Sequence, residues 1–266
     1  DVLGSRGLGD VYKRQALDST NQPGATSELW RETSRIGCAQ VQNDWIQCTP
    51  WNNPKEKGMG IGWTFAQSGA AEYGLWVATD GKRFVNELAN RKVRADAIMV
   101  LKGEGKSAVA ICTKPNLKAF EEARPGMLQK LLEQQIIKEY KSLDEIAADY
   151  KMPVDTLKAT VAEFNKAVET KSDPAFGRYI NNEQTPLAEG PWYAAEMSPK
   201  VHHCMGGLVT DLQCRVIDVV DGKPVPGLFA AGEATGGVHG AVRLGSCAIL
   251  DCLVNGRIAG QQAAKA

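Results

Sequence analysis

Side chains able to bind anions or move protons concentrate in one stretch of the 266-residue chain. All three histidines, His202, His203 and His239, fall between residues 202 and 251, together with Glu233, Arg243 and repeated glycines. The stretch opens as HHCMGGLVTD and continues as LFAAGEATGGVHGAVRLGSCAILD. Glycine at this density lets the backbone take positive φ or press against a flat surface. Behind it Ser246 stands as the N-cap of an apolar, small-residue helix over residues 247–264. A glycine-rich loop feeding a helix N-terminus presents unpaired N–H groups at the positive end of a dipole, which suits an anionic or electron-rich cofactor.

Composition narrows the rest. Lys plus Arg (31) balance Asp plus Glu (31), so no strong field draws the chain to nucleic acid or an anionic membrane. No apolar run reaches the ~18 residues of a membrane span, and the N-terminus has no signal-peptide pattern. The seven cysteines (38, 48, 112, 204, 214, 247 and 252) form no CxxC or other metal spacing, so no metal site is expected and they read as reduced, mostly buried thiols.

Stepping along the chain gives the elements that must position these groups. Residues 1–15 lack periodicity and read as unassigned, an artefact of sequence assembly; GLGD within them lacks the third glycine and the preceding strand of a nucleotide fingerprint. A helix is expected over 24–37, a strand over 41–48, and a domain crossing at the Thr49-Pro50 to Pro54 break. Residues 62–71 read as helix, 74–86 as a hairpin about Asp80-Gly81, and 87–100 as helix. A strand over 108–113 precedes helices at 117–123, 126–140 and 142–150, the last with Ser142 and Glu145 as a capping box. Pro153 is expected at N1 of a helix reaching residue 169, with Leu157, Val161, Phe164 and Val168 on one face. This middle region reads as a helical lid with a little sheet. A strand over 192–201 returns the chain to the histidines, followed by paired strands at 208–210 and 215–220 and a buried strand at 228–231.

The order of motifs then carries a resemblance. HHCMGGL followed by DGKPVPGLFAAGEATGGVHGAVRLGSCAI resembles the flavin-binding segment of the soluble, flavocytochrome-type fumarate reductases and of urocanate and other 2-enoate reductases. GKRFVNELANR at 81–91, and Phe164-Asn165 through Phe176-Gly177-Arg178, resemble the substrate-clamping domain of the same family. The resemblance implies an α/β and α+β protein: the C-terminal part of a split, Rossmann-like FAD-binding domain (16–48 and 203–266) with an inserted α+β capping domain (49–202). The family's N-terminal unit for the ADP half has no counterpart here, so the chain resembles a C-terminal fragment that binds FAD poorly alone and exposes the surface where the missing sheet packs.

The same resemblance assigns roles. Arg91 falls where the family keeps its proton-donating arginine; His202 and Arg243 fall where it clamps a substrate carboxylate, for which a planar guanidinium is suited. His203 would face the flavin, since neighbours in a strand point oppositely. Gly206, Gly207, Gly232, Gly236 and Gly237 fall in the flavin cradle, Glu233 where a carboxylate meets ribityl or ribose hydroxyls, and the N–H groups of Ala248 and Ile249 at the pyrimidine end. Glu28 matches an acidic FAD contact. Thr49 and Gln67 stand where the fumarate enzymes place groups around a second carboxylate, and Gln67 and Ala70 where they keep the proton relay; Glu72 and Glu87 are the available replacements. Trp45, Trp51, Trp63 and Trp76 in this region are compatible with an apolar or aromatic tail on a monocarboxylate. The implied activity is reduction of an α,β-unsaturated carboxylate of fumarate, urocanate or aryl-enoate type, with an unidentified electron donor. The alternatives are a dehydrogenase acting in the oxidative direction and a non-catalytic flavin-binding fragment. Any export signal would precede this stretch, leaving cytoplasm and periplasm both open.

Overall fold

The computed structural model describes residues 17–266, so the expectation for residues 1–15 lies outside it. The chain divides into two compact units, Thr49–Lys200 and a second formed by the described residues up to Cys48 with Val201–Ala266. In chain order come α1 (Glu28–Arg35), β1 (Gln40–Val41) and β2 (Ile46–Asn52). The expected strand at 41–48 is split because Gln42 takes a positive φ of 56°. The expected break at residue 49 is instead the interior of β2, through which the chain passes from one unit to the other.

Thr49–Lys200 is built on a sheet. A π-helix (Thr64–Ala71), β3 (Leu75–Ala78), α2 (Arg91–Gly103) and β4 (Ala108–Thr113) lead to α3 (Lys118–Ala123) and α4 (Met127–Glu133). Then follow β5 (Lys138–Tyr140), α5 (Leu143–Tyr150), α6 (Val154–Thr170) and β6 (Trp192–Cys204). The strand order is β2-β6-β4-β3, with β5 also on β6. This corrects the reading of a helical lid: a five-stranded sheet is the centre. Strand alternation explains why both faces are buried. Leu75, Val77, Val109, Ile111 and Ala194 face α6 residues Leu157, Val161, Phe164 and Val168. Trp76, Ala110, Cys112, Ala195 and Met197 face Phe65, Ile98, Phe120 and Leu131.

Local chemistry moved several boundaries. The helix expected over 126–140 stops at Glu133, because Gln135 turns left-handed (φ 54°) and the β-branched Ile136-Ile137 lead into β5. The hairpin about Asp80-Gly81 has a single bridge, Val77 to Arg83, while β3 pairs along its length with β4. Helix α2 starts at Arg91 because the Asn90 side chain accepts the Val93 N–H. Ser142 caps α5 as expected, and Pro153 sits one position earlier than expected, as the N-cap of α6.

Two separated motifs meet at one carboxylate. Glu87, 0% exposed, takes two bonds from Arg83 (2.9 and 2.8 Å), lies 3.2 Å from Arg178, and accepts the Trp76 N–H at 3.2 Å. Asp173 closes the cluster at 2.9 Å from Arg83. Phe164 lies under both guanidinium groups, 5.3 Å from Arg83 and 5.1 Å from Arg178.

In the other unit β1 pairs with β7 (Gly207–Leu208), and β8 (Arg215–Ile217) with β9 (Pro224–Phe229). The strand expected at 228–231 is therefore the end of β9. The expected pairing of 208–210 with 215–220 reduces to one bridge, Thr210 to Val216. Helix α7 (Cys247–Ala263) closes the chain with Ile249, Leu250, Leu253 and Val254 exposed. Ser246 precedes it but does not cap it: its φ is 65° and its hydroxyl makes no cap bond. No helix among the described residues is long and apolar enough to cross a membrane.

Candidate functional site

In the unit holding the histidines, β6 delivers His202 and His203 to opposite sides. His202 is half-buried, with Nδ1 2.7 Å from the Thr20 hydroxyl. His203 is 3% exposed; its Nδ1 lies 3.3 Å from Glu233 and its ring meets His239 edge-on at 5.5 Å between centroids. His239 in turn lies 3.2 Å from Asp251 on α7. Sequence reading did not join these two pairs, because the rings stand 36 positions apart in the chain, with strand and loop between them.

Glu233 is positioned by the chain itself. Its Oε1 accepts the Cys204 N–H at 3.0 Å while the side chain stays 44% exposed. Burial opposes its charge, but His203 and the Cys204 N–H outweigh that and hold the carboxyl below its usual range.

The glycines serve chain packing first. A Cβ on Gly206 would overlap the Gln42 carbonyl oxygen and lie 2.5 Å from the Asn43 nitrogen, and one on Gly236 would lie 2.5 Å from the Gly207 nitrogen. A Cβ on Gly207 would lie 2.5 Å from the Ala234 oxygen, and one on Gly232 would lie 2.7 Å from the Cys252 sulfur. Only Gly237 in this set has no crowding neighbour, its nearest atom being Val41 Cγ1 at 3.7 Å. Gly206→Ala is accordingly expected to destabilise by about 1–3 kcal/mol or more, since backbone rather than a flexible side chain must yield. A urea unfolding midpoint, compared with Gly103→Ala where the added carbon meets nothing within 4 Å, checks this.

Arg243 is 6% exposed. Its Nη1 bonds the Leu244 carbonyl at 3.0 Å, and Gln47 holds its own carbonyl at 2.9 Å. Its Nε is buried without a partner, and burial pulls the guanidinium below its usual range against the counter-pull of Glu233. A buried donor left over in this way fits an anionic ligand. At the start of α7 the Ile249 N–H is spent on the Ser246 carbonyl at 3.0 Å, whereas the Ala248 N–H has no acceptor among the described residues. A spare amide at a helix start and a buried guanidinium with a spare Nε supply donors, and a half-exposed carboxylate supplies an acceptor, a set that fits a flavin and a carboxylate. Glu28 is exposed in the first turn of α1.

The sheet unit carries the remaining candidates. Arg91 is the first residue of α2, half-buried, with its guanidinium carbon 5.3 Å from the Trp51 ring. Thr49 is 1% exposed and its hydroxyl donates to Asn52. Gln67 accepts from Arg94 Nη1 at 2.8 Å. Of the replacement relays, Glu87 is saturated by Arg83 and Arg178, and Glu72 is exposed, 3.5 Å from Gln67 Nε2. The tryptophans do not form one wall: Trp51 and Trp76 flank Arg94, Trp63 stacks on Arg124, and Trp45 belongs to the other unit. Arg94 was missed in the sequence, although its i+3 spacing from Arg91 put it on the same helix face.

The chain has recognisable relatives. Residues 2–249 match the family model described as FAD binding domain. The chain is 36% identical over 250 residues to an acrylate reductase flavoprotein subunit of Shewanella woodyi, covering 90% of this chain and 47% of that protein. It is 36% identical over 247 residues to a fumarate reductase (cytochrome) of Shewanella frigidimarina, covering 93% of this chain and 41% of that one. Among solved structures, the open conformation of a flavocytochrome c3 fumarate reductase superposes with a TM-score of 0.70 at 32% identity, over 98% of this chain and 45% of the other. The chain thus spans less than half the length of these relatives.

Proposed function

The chain belongs to the FAD-binding-domain family, and on that premise we propose that the protein it forms reduces the C=C bond of an α,β-unsaturated carboxylate with FAD as cofactor. In this reading residues 16–48 and 203–266 are flavin-binding and 49–202 form the substrate-clamping cap. The observation that carries it is Arg243, a buried guanidinium whose Nε has no partner, as a carboxylate-binding group requires before its ligand arrives.

The flavin, when bound and reduced, supplies a hydride for the substrate β-carbon. The protein's own residues do the rest. Arg243 grips the carboxylate and stabilises the enolate-like charge that develops on it. His202, whose Nδ1 lies 2.7 Å from the Thr20 hydroxyl, turns Nε2 to the same carboxylate and donates to it when that nitrogen carries the proton. Arg91 gives a proton to the α-carbon and regains one from solvent. His203, Glu233, the Ala248 and Ile249 turn, Gly237 and Glu28 are the candidate flavin contacts; Gly206, Gly207, Gly232 and Gly236 support the loop that carries them.

A monocarboxylate such as acrylate is the favoured substrate class. Thr49 is turned to Asn52 and Gln67 is engaged by Arg94, so neither offers a charge to a second carboxylate. The relative named for acrylate reduction fits this class, while the one named for fumarate, a dicarboxylate, shares only the unsaturated carboxylate. The test is to reduce the FAD-loaded full-length protein without oxygen and add acrylate, cinnamate, urocanate or fumarate. Flavin reoxidation at least tenfold faster with a monocarboxylate than with fumarate is expected; no reoxidation by any 2-enoate rejects the reductase reading.

A further inference from the structure

Three arginine side chains of the sheet unit are largely buried, and they are treated differently. Arg83 and Arg178 each meet the Glu87 carboxylate. Arg94, 5% exposed, has no carboxylate within ion-pair distance among the described residues and receives only neutral acceptors: Gln67 Oε1 at 2.8 Å and the Glu87 carbonyl at 2.7 Å. Its Nε is buried without a partner, and its guanidinium carbon lies 4.7 Å from the Trp51 ring and 5.4 Å from the Trp76 ring. A buried charge held by amide and carbonyl oxygens alone is costly. The fold builds ion pairs for the other two and withholds one here.

What Arg94 faces explains the cost. It stands three residues after Arg91 in α2, and both guanidinium groups approach the same Trp51 ring. We infer that Arg94 is a positioning residue for Arg91: a fixed buried cation one helical turn away that makes Arg91 a readier proton donor. The inference rests on Arg91 being the acid of the proposed reaction. In that step hydride adds to the β-carbon, the C=C electron pair takes the Arg91 proton at the α-carbon, and the neutral guanidine left behind is reprotonated by water.

The electrostatics run the same way. Burial first, and the charge of Arg91 second, pull Arg94 down to about 10, while Glu72 from the end of the π-helix and Glu87 from the preceding loop pull it up. Coulomb repulsion is mutual, so Arg94 acts on Arg91 as Arg91 acts on it. Arg91, the first residue of α2, also sits where the helix dipole already disfavours positive charge.

The test uses the FAD-loaded full-length protein with Arg91→Lys, whose amine titrates in an accessible range. The pH dependence of its labelling by an amine reagent, and the alkaline limb of acrylate turnover, are compared with Arg94 present and with Arg94→Gln or Arg94→Lys added. Arg94→Gln should raise both midpoints by about one to two pH units, and Arg94→Lys should leave them near the starting values because it keeps the charge. In the Arg91 background Arg94→Gln should lower acrylate kcat about tenfold to a hundredfold with little change in KM. Equal behaviour of the glutamine and lysine variants, or midpoints that do not move, overturns the inference. If Arg94→Gln does not fold, Arg94→Met gives the uncharged comparison. Should Arg91→Ala retain turnover, the acid assignment fails by itself; the labelling midpoint still reports whether Arg94 governs the charge at position 91.

Discussion

Arg91→Ala is expected to reduce acrylate turnover by about 10²–10⁴-fold, the usual worth of a positioned general acid, while leaving reduction of the flavin by an artificial donor unchanged. A fall in kcat without a matching rise in KM is the signature, because the lost interaction is made only as the proton moves. Misfolding does not account for such a result. A cation at the first position of α2 opposes the helix dipole and lies one turn from the buried Arg94, which offsets its contact with the Trp51 ring, and an unchanged melting temperature separates lost chemistry from lost structure. Normal turnover by Arg91→Ala would remove arginine-mediated protonation from the mechanism, whatever the substrate proves to be.

The second large effect is on stability. Glu87→Ala should cost about 3–5 kcal/mol, the range for breaking a buried pair by deleting one partner. It leaves Arg83 with Asp173 alone and strips Arg178 of its only carboxylate contact among the described residues, both inside the core. The Trp76 N–H loses its acceptor as well. Urea unfolding followed by tryptophan fluorescence measures it, and adding Arg178→Met to Glu87→Ala should recover part of the loss by removing the stranded charge. A Glu87→Ala midpoint within experimental error of the parent would contradict the cluster's structural role and reopen Glu87 as a proton carrier.

Residues that act through the backbone next to them were legible. Ser142 caps the helix that follows, the apolar run 108–113 is a strand, and Leu157, Val161, Phe164 and Val168 form one buried face of α6, whereas the cap at Asn90, which starts α2 at Arg91 rather than at residue 87, was not read. The glycine-rich stretch was also legible as a place of close backbone packing around histidines, since glycine density and histidine clustering are properties of the chain alone. Its interpretation changed: Gly206, Gly207 and Gly236 answer to other backbone segments. Residues 126–140 were misjudged because their apolar spacing suits either period, and one left-handed residue, Gln135, chose between them.

By itself the sequence determined the family, through the order of its histidine, glycine and arginine motifs, and most of the secondary structure, because capping, periodicity and turn chemistry act over a few residues. Only the tertiary structure decided which charges are paired. Glu87 and Arg178 are 91 residues apart, and Arg94 meets Gln67 across 27. Whether a buried arginine receives a carboxylate or an amide depends on which segments the sheet brings together. That choice separates the arginines tied into ion pairs, Arg83 and Arg178, from Arg94, which neutral oxygens hold.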